Sequence, residues 1–196
     1  RQLNVFSKLP LLLDNENKTI TDVYCHYKYS FEELGMNHFN RPNGNIINCE
    51  HTWPQSKFNP NFDKETQKSD LHHLYSTDNP ANGFRGNDNF GDMELAQVKE
   101  ATVPKDNCSE LKKFIVNGKV YIQVPKEHRG NVARAIFYFA LRYNMEMDAF
   151  ELKSLLKWNK VDPVDEAEKK RHDTIYNLQG TRNPYIDLPS LAQSLI

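Results

Sequence analysis

The spacing of apolar residues changes along the chain, from short strand-like runs in the first part to helical stripes in the second. The clearest strand signal lies at residues 114–122, where two apolar runs flank Asn117-Gly118. Asn-Gly accepts the positive φ angles of a tight turn, so this stretch predicts a β-hairpin. Beyond it, apolar residues recur every three or four positions, which predicts a long helix. They are Val132, Ile136, Phe139, Ala140 and Tyr143.

Two further helices are predicted toward the C-terminus by their start and stop signals. Asp148 and Glu151 have the spacing of a capping box ahead of a leucine-rich stretch. Asp162-Pro163 is a second helix start, and Gly180 suits the left-handed conformation that ends a helix. Because strands come first and helices follow, the pattern predicts an α+β fold that is helix-rich in its C-terminal half.

Residues 45–87 predict a strand–strand–helix unit. Residues 45–49 and residues 71–77 have strand-like content, and the polar residues 57–69 between them are expected to form a surface excursion. Residues 77–80, Thr-Asp-Asn-Pro, then suit a helix start, because Asx and Thr side chains cap unpaired amides and proline fits the first turn. The helix would place Asp78, Asn82 and Arg85 on one face.

Length and composition indicate one domain over residues 1–196. With 38% hydrophobic and 11% aromatic residues, the chain can form a real core. Its net charge of −1 lacks the basic excess of many nucleic-acid binders, so such a partner requires lysines and arginines to cluster on one face. The longest apolar run, residues 11–13, is far too short to cross a bilayer, so no membrane partner is expected. No signal-peptide pattern is found at the N-terminus.

The three cysteines are Cys25, Cys49 and Cys108, and none forms a CxxC pair. A thiolate zinc site is therefore not expected, and at most one disulfide can form within the chain. Cys49 stands beside Glu50 and could be a nucleophile, but a small buried residue under the strand is the favoured interpretation.

The dipeptide Glu50-His51 is the strongest chemical candidate. A neutral histidine can take a proton from water near pH 7, and a carboxylate oxygen suits a hard cation such as Mg²⁺. Neighbouring strand residues point to opposite faces. Glu50 and His51 can therefore serve one site only if the backbone twists, which Pro54 nearby would favour.

Several motifs, and their order along the chain, resemble those of bacterial endonuclease I, the periplasmic and secreted nucleases that carry a ββα-metal finger. The resemblance spans residues 45–187, less clearly over 92–125, with a ββα core at 45–87 and a helical part at 129–187. The matching stretches are residues 48–56, 70–75, 82–87, 129–134, 137–138, 158–159, 162–166, 179–180 and 183–185.

This resemblance implies a metal-dependent, sequence-nonspecific endonuclease that acts on DNA, often also on RNA, and leaves 5′-phosphate ends. His51 matches the general base, and Glu50 and Asn82 match the two protein ligands of one divalent cation, Mg²⁺ with Mn²⁺ or Ca²⁺ as alternatives. Export to the periplasm or outside the cell is implied too, and a monomer is expected. Some members hold a transition-state arginine on a disulfide-bound insert after the Glu-His pair, for which residues 57–69 offer no counterpart.

Four basic residues are candidates for phosphate contacts, although helix arginines usually pair with acids instead. They are Lys57, Arg85, Arg129 and Arg134. Asp70 is expected to orient a neighbour rather than bind metal. His72 is expected to support the site, and His73 to be structural.

Two other classes of function stay open. One is a catalytically idle nucleic-acid- or protein-binding module on the same fold, against which the intact Glu50, His51 and Asn82 argue. The other is a zinc hydrolase built on His51, His72 and His73, although their spacing matches no standard zinc pattern.

Overall fold

The computed structural model describes residues 18–36, 42–104 and 108–195, and it confirms the α+β fold. The apolar run at residues 11–13 lies outside these ranges. Within them, the strands are β1 (Thr19–Thr21), β2 (Lys28–Ser30), β3 (Ile47–His51), β4 (Leu74–Asp78), β5 (Asn89–Phe90), β6 (Lys112–Val116) and β7 (Lys119–Gln123). The α-helices are α1 (Lys64–Ser69), α2 (Asn79–Arg85), α3 (Met93–Ala96), α4 (Arg129–Arg142), α5 (Ala149–Val161), α6 (Glu166–Gln179) and α7 (Pro184–Asp187).

Strands β3 and β4 and helix α2 form the predicted strand–strand–helix unit. The two strands are antiparallel, with Glu50 opposite Tyr75 and His51 opposite Leu74. Strand β3 begins and ends two residues later than the predicted strand at 45–49. Because of the later end, it includes both Glu50 and His51. Helix α2 follows β4 at once, because the Asp78 carboxylate accepts a hydrogen bond from the amide of Ala81 at 2.9 Å.

The predicted second strand over residues 71–77 is wrong at its start. Leu71–His73 form a turn of 3-10 helix, capped by Asp70, whose Oδ1 accepts from the His72 amide at 3.2 Å. Such a local bond competes with strand pairing. The predicted surface excursion at 57–69 also contains helix α1, which apolar periodicity cannot detect because its buried residue is Gln67.

The hairpin between β6 and β7 is confirmed. Its turn residues Asn117 and Gly118 have φ angles of 50° and 78°, as the Asn-Gly signal requires. Strand β7 lies in the middle of its sheet, antiparallel to β6 and parallel to β5.

The C-terminal helices differ from the prediction only at their caps. Asp148 caps α5, but Glu151 does not complete a capping box, because its carboxylate accepts from the amide of Phe90 at 2.7 Å instead. Helix α6 is capped by Asp165 rather than beginning at Asp162-Pro163. It ends as predicted at Gly180, which has a φ of 76°.

The strand–strand–helix unit is fixed to the helical half by aromatic stacking. Phe139 of helix α4 is fully buried, and its ring lies 5.5 Å from that of Trp53 and 5.5 Å from that of Phe58. Burial of one such side chain stabilises the fold by about 1.5–3 kcal/mol. In the described part of the chain, no helix is long and apolar enough to cross a membrane.

Candidate active site

Glu50 lies at the centre of a buried set of polar contacts. It is 2% exposed, and its Oε1 accepts a hydrogen bond from the Tyr24 hydroxyl at 2.8 Å. The Arg85 Nε lies 3.2 Å from the same oxygen. Within the described residues, the second oxygen, Oε2, makes no hydrogen bond and is not sealed from solvent. One carboxylate oxygen is therefore held in place while the other stays available to a ligand.

Arg85 lies inside the molecule rather than on a phosphate-binding surface. It is 2% exposed, donates to the carbonyl of Thr52 at 2.6 Å, and has its guanidinium 4.7 Å from the ring centroid of Phe90. These contacts engage the guanidinium inside the protein, and the phosphate contact expected for Arg85 finds no support in them. Arg85 balances the buried charge of Glu50 and holds that carboxylate in position.

The hydrogen bonds of His51 define which ring nitrogen can act as a base. Its Nε2 lies 3.1 Å from the carbonyl oxygen of Lys68. A carbonyl only accepts, so this contact is a hydrogen bond in the tautomer with the proton on Nε2, which has the lone pair of the neutral ring on Nδ1. The Gln55 side-chain nitrogen lies 3.4 Å from that Nδ1.

Burial keeps His51 uncharged at neutral pH. The ring is 7% exposed, and burial is the main cause that lowers its pKa to about 4. The charges of Lys68 and Arg85 lower the pKa further, while hydrogen bonds to backbone oxygens oppose the change. His51 is therefore in the state that can accept a proton.

The two histidines after Asp70 have the opposite places from those expected. The ring of His73 lies 5.4 Å from that of His51, in an edge contact. The ring of His72 lies 4.5 Å from that of Tyr138, and its Nε2 contacts the carbonyl of Thr181 at 3.0 Å. His73, not His72, is the histidine beside His51.

The side chain of Asn82 lies on helix α2 and is not engaged by other side chains of the described residues. It lies on α2, which packs against both β3 and β4, and it is partly exposed. Within the described residues its side-chain amide makes no hydrogen bond, whereas the neighbouring Asp78 and Arg85 side chains are both engaged. A carboxylate oxygen and an amide oxygen that lack other partners form a donor set that fits a hard divalent cation.

Asp70 anchors the segment between the two strands. It is 3% exposed and accepts hydrogen bonds from the hydroxyls of Tyr138 at 2.9 Å and Tyr143 at 2.8 Å. The side chain of Gln179 donates to it at 2.8 Å. These bonds fill acceptor positions of the carboxylate, and the orienting role expected for Asp70 stays a prediction.

The remaining basic candidates do not gather around His51. Lys57 is exposed and donates to the Asn89 side chain at 2.6 Å. Arg129 contacts the carbonyl of Val124 at 3.2 Å, at the start of α4. Arg134 is 1% exposed and forms a two-pronged ion pair with Glu168, at 2.8 and 2.6 Å. Of these three residues only Lys57 is exposed, and it lies within the strand–strand–helix unit at residues 45–87.

We expect Arg134→Leu to lower stability without changing the activity of the folded fraction. Removing one partner leaves the buried carboxylate of Glu168 uncompensated, which costs about 3–5 kcal/mol. Urea unfolding measures this loss, and the double variant Arg134→Leu/Glu168→Leu should recover a large part of it. Equal stability of Arg134→Leu and the unmodified protein would contradict a structural role.

Two positions of this site have no signal in the sequence. Tyr24 comes 26 residues before Glu50 and contacts it only through the fold. His73 was distinguishable from His72 only by knowing that residues 71–73 form a 3-10 turn instead of a strand.

The cysteines pair as a single disulfide, Cys25–Cys108. Cys49 is a thiol packed beside Leu71, Leu74 and Ile175. Desolvation, followed by the charge of Glu50, raises the pKa of this thiol to about 12. A thiol in that state is a poor nucleophile near neutral pH, as the packing interpretation predicts.

The zinc hypothesis finds no support in the geometry. Nε2 of His72 and Nε2 of His73 each contact a backbone carbonyl. Among the described residues, the one group of three His, Cys, Asp or Glu side chains close enough to share an ion is His26, Glu110 and Glu127, which are all exposed and stand outside this site.

Comparisons with known proteins agree on one family. A family model described as Endonuclease I matches residues 5–190 of this chain. An "Extracellular ribonuclease" of Bacillus amyloliquefaciens is 32% identical over 169 residues, which are 76% of this chain and 53% of that protein. An "Endonuclease-1" of Buchnera aphidicola is 31% identical over 119 residues, 61% of this chain and 44% of that protein.

A "Periplasmic deoxyribonuclease" of Aeromonas hydrophila is 30% identical over 122 residues, 61% of this chain and 48% of that protein. The chain thus spans about half the length of the curated relatives it matches.

Proposed function

The chain belongs to the endonuclease I family, and from this premise we propose that it is a metal-dependent, sequence-nonspecific endonuclease. Its substrates are DNA and RNA, and its products carry 5′-phosphate ends. Relatives named as a ribonuclease and as a deoxyribonuclease support both polymers. The observation that carries the proposal is the neutral, oriented imidazole of His51 one residue after a carboxylate with an available oxygen.

His51 acts as the general base. Its Nδ1 takes a proton from the water that attacks the phosphorus, and the positive charge that forms is stabilised through Nε2–H by the carbonyl of Lys68, 3.1 Å away. Gln55, with its nitrogen 3.4 Å from Nδ1, must turn away or share this position with the water.

Glu50 and Asn82 hold one divalent cation, for which Mg²⁺ is the best match, with Mn²⁺ or Ca²⁺ as alternatives. Tyr24 and Arg85 hold Oε1 of Glu50, which leaves Oε2 as the oxygen that would bind the ion. The ion, when bound, offsets the negative charge that develops on the phosphate and the leaving oxygen.

Lys57 provides a phosphate contact at the edge of the site. It is an exposed cation two residues after Gln55, the neighbour of His51. Because the net charge is −1, binding rests on few such contacts, and affinity should fall only moderately with salt.

Export to the periplasm or outside the cell also fits. Disulfides such as Cys25–Cys108 form and persist in oxidising compartments. Relatives named "extracellular" and "periplasmic" agree with this location.

Conversion of a supercoiled plasmid to nicked and linear forms tests the proposal. We expect cleavage with Mg²⁺ or Mn²⁺, none with excess chelator, and recovery when the metal is restored. A single-stranded RNA of mixed sequence serves as the second substrate. Binding of both polymers without cleavage under any of these metals would favour the catalytically idle module instead.

A further inference from the structure

We propose that His73 is a positioning residue that sets the ring orientation and the tautomer of His51. The inference rests on the proposed function, since it concerns how the general base is held. It starts from two imidazoles that lie side by side, with ring centroids 5.4 Å apart and planes at 73°.

Both rings use the same end of the same short helix. Nε2 of His51 donates to the carbonyl of Lys68 at 3.1 Å, and Nε2 of His73 donates to the carbonyl of Gln67 at 2.9 Å. These consecutive carbonyls lie in the last turn of α1, and the carbonyl of Gln67 also accepts from the amide of Asp70 at 3.5 Å. The position of one acceptor therefore fixes the position of the other.

His73 is packed into the core of the protein. It is fully buried, and its ring lies 4.4 Å from that of Phe139 in the core. Its backbone carbonyl accepts from the amide of Thr52, the residue after His51, at 2.9 Å. His73 thus contacts His51 through the ring, the helix end and the strand ladder.

The helix end is itself anchored by Gln67. The side chain of Gln67 is fully buried; its nitrogen donates to the carbonyl of Asn59 at 2.9 Å, and its oxygen accepts from the amide of Asn59 at 2.9 Å. It also donates to the carbonyl of Phe62 at 3.1 Å. His73 therefore connects the core to an anchored pair of carbonyls, one of which orients the base.

His72 offers a matched control in the adjacent position. Both histidines are at most 1% exposed, both contact a backbone carbonyl through Nε2, and both have a buried Nδ1 that has no partner among the described residues. The difference is their neighbour: His73 lies beside His51, whereas His72 lies 5.4 Å from the ring of His172.

The test compares His73→Phe with His72→Phe. Both changes keep an aromatic ring in the core and should cost stability to a similar degree. We expect His73→Phe to lower kcat roughly 10–100-fold with KM within about twofold, the range typical of a lost supporting contact. We expect His72→Phe to keep kcat per folded molecule.

Nitrogen-15 chemical shifts of the His51 ring give the decisive readout. The unmodified protein and His72→Phe should show the proton on Nε2, and His73→Phe should show a mixture of tautomers. His73→Gln, whose amide nitrogen can reach the Gln67 carbonyl, should restore the single tautomer and at least half of kcat. It also keeps the test informative if His73→Phe does not fold.

An unchanged His51 tautomer in His73→Phe, or equal kcat losses in the two phenylalanine variants, would overturn the positioning role while leaving the general base intact. Full cleavage by a folded His51→Ala protein would instead overturn the proposed base itself, and the positioning role with it.

Discussion

His51→Ala is expected to keep the fold and lose roughly 10²–10⁴-fold in cleavage rate, the contribution of a general base. The ring is buried, but its removal creates a small cavity next to Phe58 and His73 and leaves no buried charge. Single-turnover cleavage of a short duplex at saturating Mg²⁺ measures the loss. Metal titration should give the same affinity as the unmodified protein, because Glu50 and Asn82 are unchanged.

The matched control is Gln55→Ala, which removes the neighbour at 3.4 Å from Nδ1 but leaves the base. It should change the rate by less than about tenfold. If folded His51→Ala cleaves at the unmodified rate, the attacking water loses its proton elsewhere.

The pH dependence of the cleavage rate should reflect the lowered pKa of the buried His51 ring. Burial lowers the pKa of His51 to about 4, so the ring is neutral and active above that value and becomes protonated and inactive below it. The rate should therefore hold through mildly acidic conditions and fall only as the pH approaches 4. A solvated histidine would instead lose activity near pH 6.5.

Charged and titratable neighbours need separate control in that profile. The charges of Lys68 and Arg85 lower the pKa of His51, and burial lowers the pKa of His73 to about 3. Burial raises the pKa of Glu151 to about 7, so Glu151→Gln identifies any step that belongs to that group.

The sequence predicts the frame of this site better than its supporting contacts. Strand β3, the helix start at Asp78 and the Asn-Gly hairpin follow from local signals, because caps and turns are determined by residues next to each other. Tyr24 and Arg85, which flank Glu50, meet only when distant segments pack. Periodicity carries no information about such contacts.

The roles of the arginines also could not be predicted from the sequence. As arginines, Arg85 and Arg134 are of a residue type that often binds phosphate. Both are instead buried against carboxylates, those of Glu50 and Glu168. A guanidinium suits a buried carboxylate as well as a phosphate, since both accept two parallel hydrogen bonds. Only burial, which depends on the whole fold, separates the two roles.

Glu50→Gln is expected to weaken Mg²⁺ or Mn²⁺ binding by at least about 100-fold, more than the loss of a supporting contact. The amide keeps an acceptor for the Tyr24 hydroxyl but removes the charge that holds a divalent cation. Asn82→Ala should weaken binding less, about tenfold, because it supplies a neutral oxygen. Calorimetric titration measures all variants.

The variant Tyr24→Phe tests the role of Tyr24 in holding the Glu50 carboxylate, separately from the role of Glu50 in binding the ion. It deletes only the hydroxyl at 2.8 Å from Oε1 and should cost about tenfold in metal affinity, as the loss of an outer contact does. Glu65→Gln, an exposed glutamate on α1, is the control for charge alone and should bind as the unmodified protein does. If Glu50→Gln bound Mn²⁺ as tightly as Glu65→Gln, Glu50 would be no ligand, and its buried pairing with Arg85 would be purely structural.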